Sequence, residues 1–188
     1  MRQLLLLAAM MGAFPLARAA EGDALATNSI VVADHGTLEI SSPGDWTFIH
    51  TNLNLPGKPI SVELHSASKT AVIRLTIFWD GFGGSKVKPT EADMEKSVST
   101  LAARQYLPIS VEKTVTLEKL HGPAVTGSFA RFTDADWTIV MTDEYRNVAP
   151  GMFRSDNLWG NFDLLTNDKD GPSFKEGLEV LESLRRKP

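Results

Sequence analysis

The stretch Ala71-Val72-Ile73-Arg74-Leu75-Thr76-Ile77-Phe78-Trp79 decides the fold. Ile73, Leu75, Ile77 and Trp79 alternate onto one face, while Val72 and Phe78 flank Arg74 and Thr76 on the other. A strand with apolar residues on both faces belongs near the centre of a sheet that is covered on both sides.

Upstream of it, Ile60, Val62 and Leu64 alternate with Ser61, Glu63 and His65, the pattern of a half-buried strand. Asn52 to Lys58 contains Pro56-Gly57 and reads as a loop. Asn28 to Ala33 and Thr37 to Ser41 form the arms of a hairpin around Asp34-His35-Gly36. A second turn at Ser42-Pro43-Gly44-Asp45 leads into extended structure from Trp46 to His50.

Downstream, Asp80 to Pro89 carries three glycines and is a loop. Thr90-Glu91-Ala92-Asp93 then starts a helix, with Thr90 as cap and Asp93 at the reciprocal capping-box position in place of the usual Glu. Met94, Val98, Leu101 and Ala102 share one helical stripe, and Tyr106-Leu107-Pro108 ends it, because proline disfavours helix in the preceding residue. Strands follow around Val111, Val115 and Leu117, and from Val125 to Phe132 after a turn at His121-Gly122-Pro123. Another is expected from Trp137 to Met141. A final hairpin joins Gly151–Phe153 to Leu158–Thr166 through Ser155-Asp156-Asn157. Ser173 to Glu176 has the form of a capping box, and Phe174, Leu178, Leu181 and Leu184 follow at helical spacing. Arg185-Arg186-Lys187 would complement the negative end of that helix. Runs of strands punctuated by single helices indicate an α+β fold with a mostly antiparallel central sheet flanked by helices.

At 188 residues, 43% hydrophobic and 22% charged, the chain suits one globular domain. It has no cysteine, which excludes disulfides, a thiol nucleophile, iron–sulfur clusters and cysteine zinc sites. Residues 1–19 read as a secretory signal: Arg2, an apolar run from Leu4 to Phe14 broken only by Gly12, then Ala17-Arg18-Ala19 as a cleavage site. The run is too short to span a bilayer, and no later stretch is long enough. The expectation is an exported, periplasmic or secreted protein with a single domain over residues 20–188. Cleavage removes Arg2 and Arg18 and no acid, taking the 19 basic and 23 acidic residues to 17 and 23, a net charge of −6. The basic residues are scattered, so neither nucleic acid nor an anionic bilayer is an expected partner.

Three further points carry a resemblance. They are Ile40-Ser41-Ser42-Pro43-Gly44-Asp45-Trp46, the helix at 90–105 after the first sheet strands, and Leu120-His121-Gly122-Pro123-Ala124 before a long strand. Together with the closing strand 158–166 and the helix from Ser173, they make residues 28–186 resemble the PsbP-like superfamily. This is the fold of the extrinsic photosystem II protein and of a Ran-binding nuclear import factor. The resemblance implies an α-β-α sandwich used for protein binding or accessory roles, with no shared set of catalytic residues to carry over.

Motifs for chemistry fail on spacing. In Gly81-Phe82-Gly83-Gly84-Ser85-Lys86 the lysine follows a serine, and Val87, Lys88 and Pro89 separate it from the helix, which is not a phosphate loop. Glu63 and His65 share one strand face and would need a third ligand to hold zinc; the plainer reading is a polar face that pairs with Arg74. The stretch from Thr166 to Gly171 resembles a calcium loop but lacks its first carboxylate, and Gly177 stands where the twelfth-position Glu is required. Asp134, Asp136, Asp143 and Glu144 could bind calcium weakly between strands; the plainer reading is that of solvated acidic turns. A Gly-x-Ser-x-Gly elbow is missing. No cofactor or metal is therefore expected, and no enzyme activity.

The expectation is a non-enzymatic binding or accessory protein whose partner is a protein or an envelope component. The alternatives are a carrier of a small amphiphile in a cavity between sheet and helix, and a hydrolase without a recognisable motif. The contact residues expected from sequence are Trp79, Asp80, Phe82 and Lys86, where aromatics sit beside glycines at the exit of the central strand.

Overall fold

The structure is a computed structural model and describes residues 24–51, 57–84, 88–135 and 145–188. A hairpin comes first, β1 (Leu25–Val32) and β2 (Gly36–Pro43), then β3 (Thr47–His50), β4 (Ile60–His65) and β5 (Ala71–Trp79). Helix α1 (Glu91–Gln105) precedes β6 (Leu117–His121), β7 (Thr126–Ala130) and the two-residue β8 (Phe132–Thr133). The chain closes with β9 (Asn147–Ser155), β10 (Leu158–Thr166), α2 (Pro172–Glu182) and β11 (Arg185–Lys187). The expected strand from Trp137 to Met141 and the signal segment 1–19 lie outside the described residues.

The fold is α+β, and every described strand pair is antiparallel. The large sheet runs β3-β4-β5-β10-β9-β7-β6, with β8 on β9. β5 sits inside it, between β4 and β10, as its two apolar faces require. Ala71, Ile73, Leu75 and Ile77 enter one buried cluster with Phe174, Val180 and Leu181 of α2, while Val72 enters a second with Val98 and Ala102 of α1. Helices thus lie on opposite faces of one sheet.

Helix α1 starts where the sequence places it. The Thr90 hydroxyl accepts from the Asp93 amide and the Asp93 carboxylate accepts from the Thr90 amide, closing the capping box. Its packing stripe is narrower than expected: Met94, Val98 and Ala102, each one turn from the next, are buried, and Leu101 is 38% exposed.

The start of α2 corrects the expected Ser173 capping box. Pro172 occupies the first turn behind Gly171 at the cap, and the Asp168 carboxylate accepts from the Ser173 and Phe174 amides at 3.1 and 3.0 Å. Glu176 instead accepts from the indole N–H of Trp46 at 3.2 Å. A carboxylate reaching back from the preceding turn satisfies the free amides as well as a capping serine does. Val180 and Gly177 are buried beside Phe174 and Leu181, and Leu178 is only partly buried.

The terminal Arg185-Arg186-Lys187 does not cap α2. It forms β11 on the outer edge of β2, making a separate three-stranded sheet β1-β2-β11. Arg185 and Lys187 both reach Glu39, at 2.9 and 3.1 Å, and Arg186 pairs with Asp156 at 2.8 Å. The small sheet adds Ile30, Val32, Leu38 and Ile40 to the α2-side core.

Two strand assignments also differ. Residues around Val111 and Val115 are not a strand; β6 begins at Leu117, and Val111 is 48% exposed. The expected strand from Val125 to Phe132 breaks at Arg131, whose side chain pairs with Glu118 and Asp170 and lies over the Phe174 ring.

Candidate functional site

The exit of β5 is a turn closed by glycines. Gly81, Gly83 and Gly84 have φ of 88°, 68° and 75°, a region that side chains avoid, so the turn itself accounts for all three. Phe82 is folded back rather than standing free. Its ring meets Phe78 and Trp79 edge-on, with centroids 4.9 Å away in each case, and remains half-buried. Trp79 in turn stacks on His35 of the β1–β2 turn at 4.8 Å, and Phe78 stacks on Trp159 of β10 at 4.7 Å. The result is a continuous run of rings, His35–Trp79–Phe82–Phe78–Trp159, wrapped around one end of the sheet.

Asp80 anchors that end. Its amide donates to the Asn157 carbonyl, and its carboxylate takes two hydrogen bonds from Arg154, at 3.1 and 3.0 Å. Lys88 adds a third charge contact at 3.4 Å. Paired parallel bonds of this type fix orientation as well as distance. The sequence thus placed Trp79, Asp80 and Phe82 in one cluster; Lys86 lies outside the described residues.

The sequence raised a cavity between sheet and helix as an alternative but named none of its lining residues. Between α1 and the sheet lies an open groove of about 370 Å³, lined by Phe78, Trp159, Met152, Val98 and Leu101 among others. Its floor follows from register: Phe78 faces Trp159, and Thr76 faces Asn161, which faces Met152. The usable signal was the apolar outer face of the 71–79 strand together with Leu101, one residue off the buried helix stripe.

Beyond the groove, a polar row crosses the same face: Glu63, Arg74 and Asp163 in register on β4, β5 and β10. Glu63 accepts from Arg74 at 3.0 Å and bonds His65 at 2.9 Å, so the pair considered for zinc is engaged as the polar strand face the sequence suggested. Burial pushes the Asp163 carboxyl above its ordinary range, opposed by the Tyr106 hydroxyl, which donates to it at 3.3 Å, and by Arg74. Burial and the adjacent Asp163 raise the Tyr106 hydroxyl well above its ordinary value. Among the acidic turns, Asp168 caps α2 and Asp170 pairs with Arg131, while Asp136, Asp143 and Glu144 lie outside the described residues. Among the described residues, no three potential ligands converge as a metal site would require.

No family model matches the chain. No curated protein matches it either. Solved structures are similar to the chain at low identity. The chain is similar to the solution structure of cyanobacterial PsbP from Synechocystis sp. PCC 6803, at a TM-score of 0.47 and 14% identity, over 93% of this chain and 100% of that one. It is also similar to a protein of Bacteroides thetaiotaomicron VPI-5482, at a TM-score of 0.43 and 13% identity, over 80% of this chain and 45% of the other. No helix among the described residues is long and apolar enough to cross a membrane.

Proposed function

We propose that this chain is an exported, non-enzymatic binding or accessory protein that meets a protein or envelope component through the aromatic end of its sheet. The observation that carries this reading is the run of five contacting rings from His35 to Trp159, each half-buried and each braced by the next. Partly exposed aromatics held rigidly lose little side-chain entropy on binding, which is why such residues serve as anchors. Phe82 and Trp79 supply ring surface, and Asp80 holds the turn to Arg154. Asp80, the carboxylate at the end of this strand, is engaged by Arg154 through two hydrogen bonds and so braces the turn that carries the rings.

A second reading rests on the groove. About 370 Å³ falls at the lower end of the roughly 300–1,000 Å³ of small-molecule sites, so a carrier of a small amphiphile also fits the geometry.

A photo-cross-linking amino acid at position 82 tests the leading reading in cells that make the protein, with position 68 as control. Ser68 lies in the β4–β5 turn, at the opposite end of β5. Adducts at 82 and none at 68 are expected. Equal labelling, or none at 82, would withdraw the surface.

A further inference from the structure

A second concavity lies at the open end of the β1–β2 hairpin, where α2 meets it. β11 covers the β2 edge only as far as Glu39, and beyond it Ser183 takes over. The Ser183 hydroxyl accepts from the Ser41 amide at 2.8 Å and lies 3.0 Å from the Ser41 carbonyl oxygen. These contacts pin α2 to β2 along one side of a cleft of about 130 Å³. Leu25 and Pro43, paired in register at the end of the hairpin, form its apolar wall with Val180. Leu25 is 71% exposed, so its side chain stands open to whatever enters.

Glu176 and Glu179 line the same cleft. With Val180 and Ser183 they recur every three or four residues, so all four share one face of α2 and its cap. Glu176 accepts from Trp46 through one carboxylate oxygen, and among the described residues the other oxygen and the whole Glu179 carboxylate have no partner. Lys175, one turn before Glu179, does not pair with it. The C-terminal end of α2 is itself negative, and its last turn holds no basic residue. The three cations that follow in sequence are engaged elsewhere, Arg185 and Lys187 on Glu39 and Arg186 on Asp156. The lining of the cleft thus holds two carboxylates and no cation.

We propose that this cleft takes one arginine side chain of a protein partner, its stem against Leu25, Pro43 and Val180 and its guanidinium on Glu176 and Glu179. About 130 Å³ admits a single side chain and falls below the roughly 300 Å³ at which small-molecule sites begin. An acidic side chain would face two carboxylates and the negative helix end, in a chain whose net charge is −4. Arginine suits the cleft better than a compact cation, because its planar fork can donate to two carboxylates while its aliphatic stem lies on the apolar wall. The Ser41–Ser183 contacts already hold the two sides together, so little has to be ordered on binding. This surface is separate from the aromatic end: His35 lies in the turn of the same hairpin, and Leu25 and Pro43 lie at its opposite, open end. It therefore goes beyond the function proposed above and stands or falls without it.

NMR titration of the full chain with a capped Gly-Ser-Arg-Ser-Gly peptide, and with the same peptide carrying citrulline for arginine, tests this. Citrulline keeps the stem and loses the charge. Saturable shifts at the amides of Leu25, Ser41, Val180 and Ser183 are expected with the arginine peptide, and binding of the citrulline peptide should be roughly tenfold weaker. Glu179→Gln should lower the affinity for arginine with the thermal melt unchanged, since that carboxylate is exposed and has no partner among the described residues. Adding Glu176→Gln, which keeps an oxygen for Trp46, should bring the affinity down to the citrulline level. Leu25→Ser should weaken both peptides. Equal affinity for the two peptides, an affinity unchanged in the double variant, or no binding of the arginine peptide would overturn the proposal. So would saturable binding that shifts Trp79 and Phe82 and leaves Ser183 unmoved.

Discussion

Phe78 and Trp159 face each other across the β5–β10 pair and stack with centroids 4.7 Å apart and ring planes 23° from parallel. The pair joins the two halves of the candidate site: Phe78 also meets Phe82 at the strand exit, and both rings line the groove under α1. Such contacts contribute about 0.5–1.5 kcal/mol beyond the area they bury. A double-mutant cycle with Phe78→Ala and Trp159→Ala, followed by urea unfolding, should therefore show a coupling near 1 kcal/mol. Additive single effects would mean that the rings merely neighbour each other.

Leu181 is fully buried where α2 meets the sheet. Leu181→Ala should cost about 2–5 kcal/mol, the range for large-to-small changes at sites that collapse incompletely. In a chain of this size that corresponds to a fall in melting temperature of roughly 4–20 °C. An unchanged melt would make α2 peripheral to the core.

Gly160 lies within β10, and a β-carbon there would come within 2.3 Å of the Thr76 carbonyl oxygen and 2.7 Å of the Phe153 ring. The carbonyl belongs to the β5 backbone and cannot yield without parting the strands. Gly160→Ala should thus destabilise by at least the ~1–3 kcal/mol of an overpacked core, although alanine ordinarily suits a strand better than glycine. Thermal melting decides the sign.

Lys187 and Arg185 hold the Glu39 carboxyl below the usual carboxylate range. A depressed folded-state value means that the contribution is present above the unfolded-state value of about 4.3 and is lost as pH falls through the folded one. Wild type should melt higher than Glu39→Gln at pH 6, and the difference should vanish toward pH 3. A gap that stays constant with pH would show that Glu39 acts through shape and not through charge.

Read as a secretory signal, the charged start, apolar run and Ala17-Arg18-Ala19 would be cleaved after Ala19. Mass spectrometry of the protein from cells that make it should find a chain beginning at Ala20. An intact Met1 in a cytoplasmic fraction would remove the export reading.

Much of the fold could be read locally. The Thr90–Asp93 box closes within one turn, and the alternation in 71–79 belongs to a single strand. The two hairpin turns need only the residues around Asp34 and Asp156, both of which adopt positive φ. Of the site, Trp79, Asp80 and Phe82 were legible for the same reason, being contiguous. Their surroundings were not. His35 and Trp159 reach Trp79 and Phe78 from turns and strands far away in the chain, and Arg154 reaches Asp80 across 74 positions.

What the sequence determined by itself, then, was each element whose hydrogen bonds or periodicity close within a few residues: the capped helix α1, the two-faced central strand and the α+β class they imply. Only the tertiary structure decided what depends on which distant surfaces meet. Arg185-Arg186-Lys187 became a strand because the β2 edge and Glu39 lay within reach, not because of any local preference. Asp168, and not Ser173, became the cap of α2 because the preceding turn brings its carboxylate onto two free amides. The groove exists because α1 packs through Met94, Val98 and Ala102 alone, leaving Leu101 at its lip above Phe78 and Trp159. Strand register brings such residues together, and register is set by the cooperative burial of whole faces rather than by any short stretch of chain.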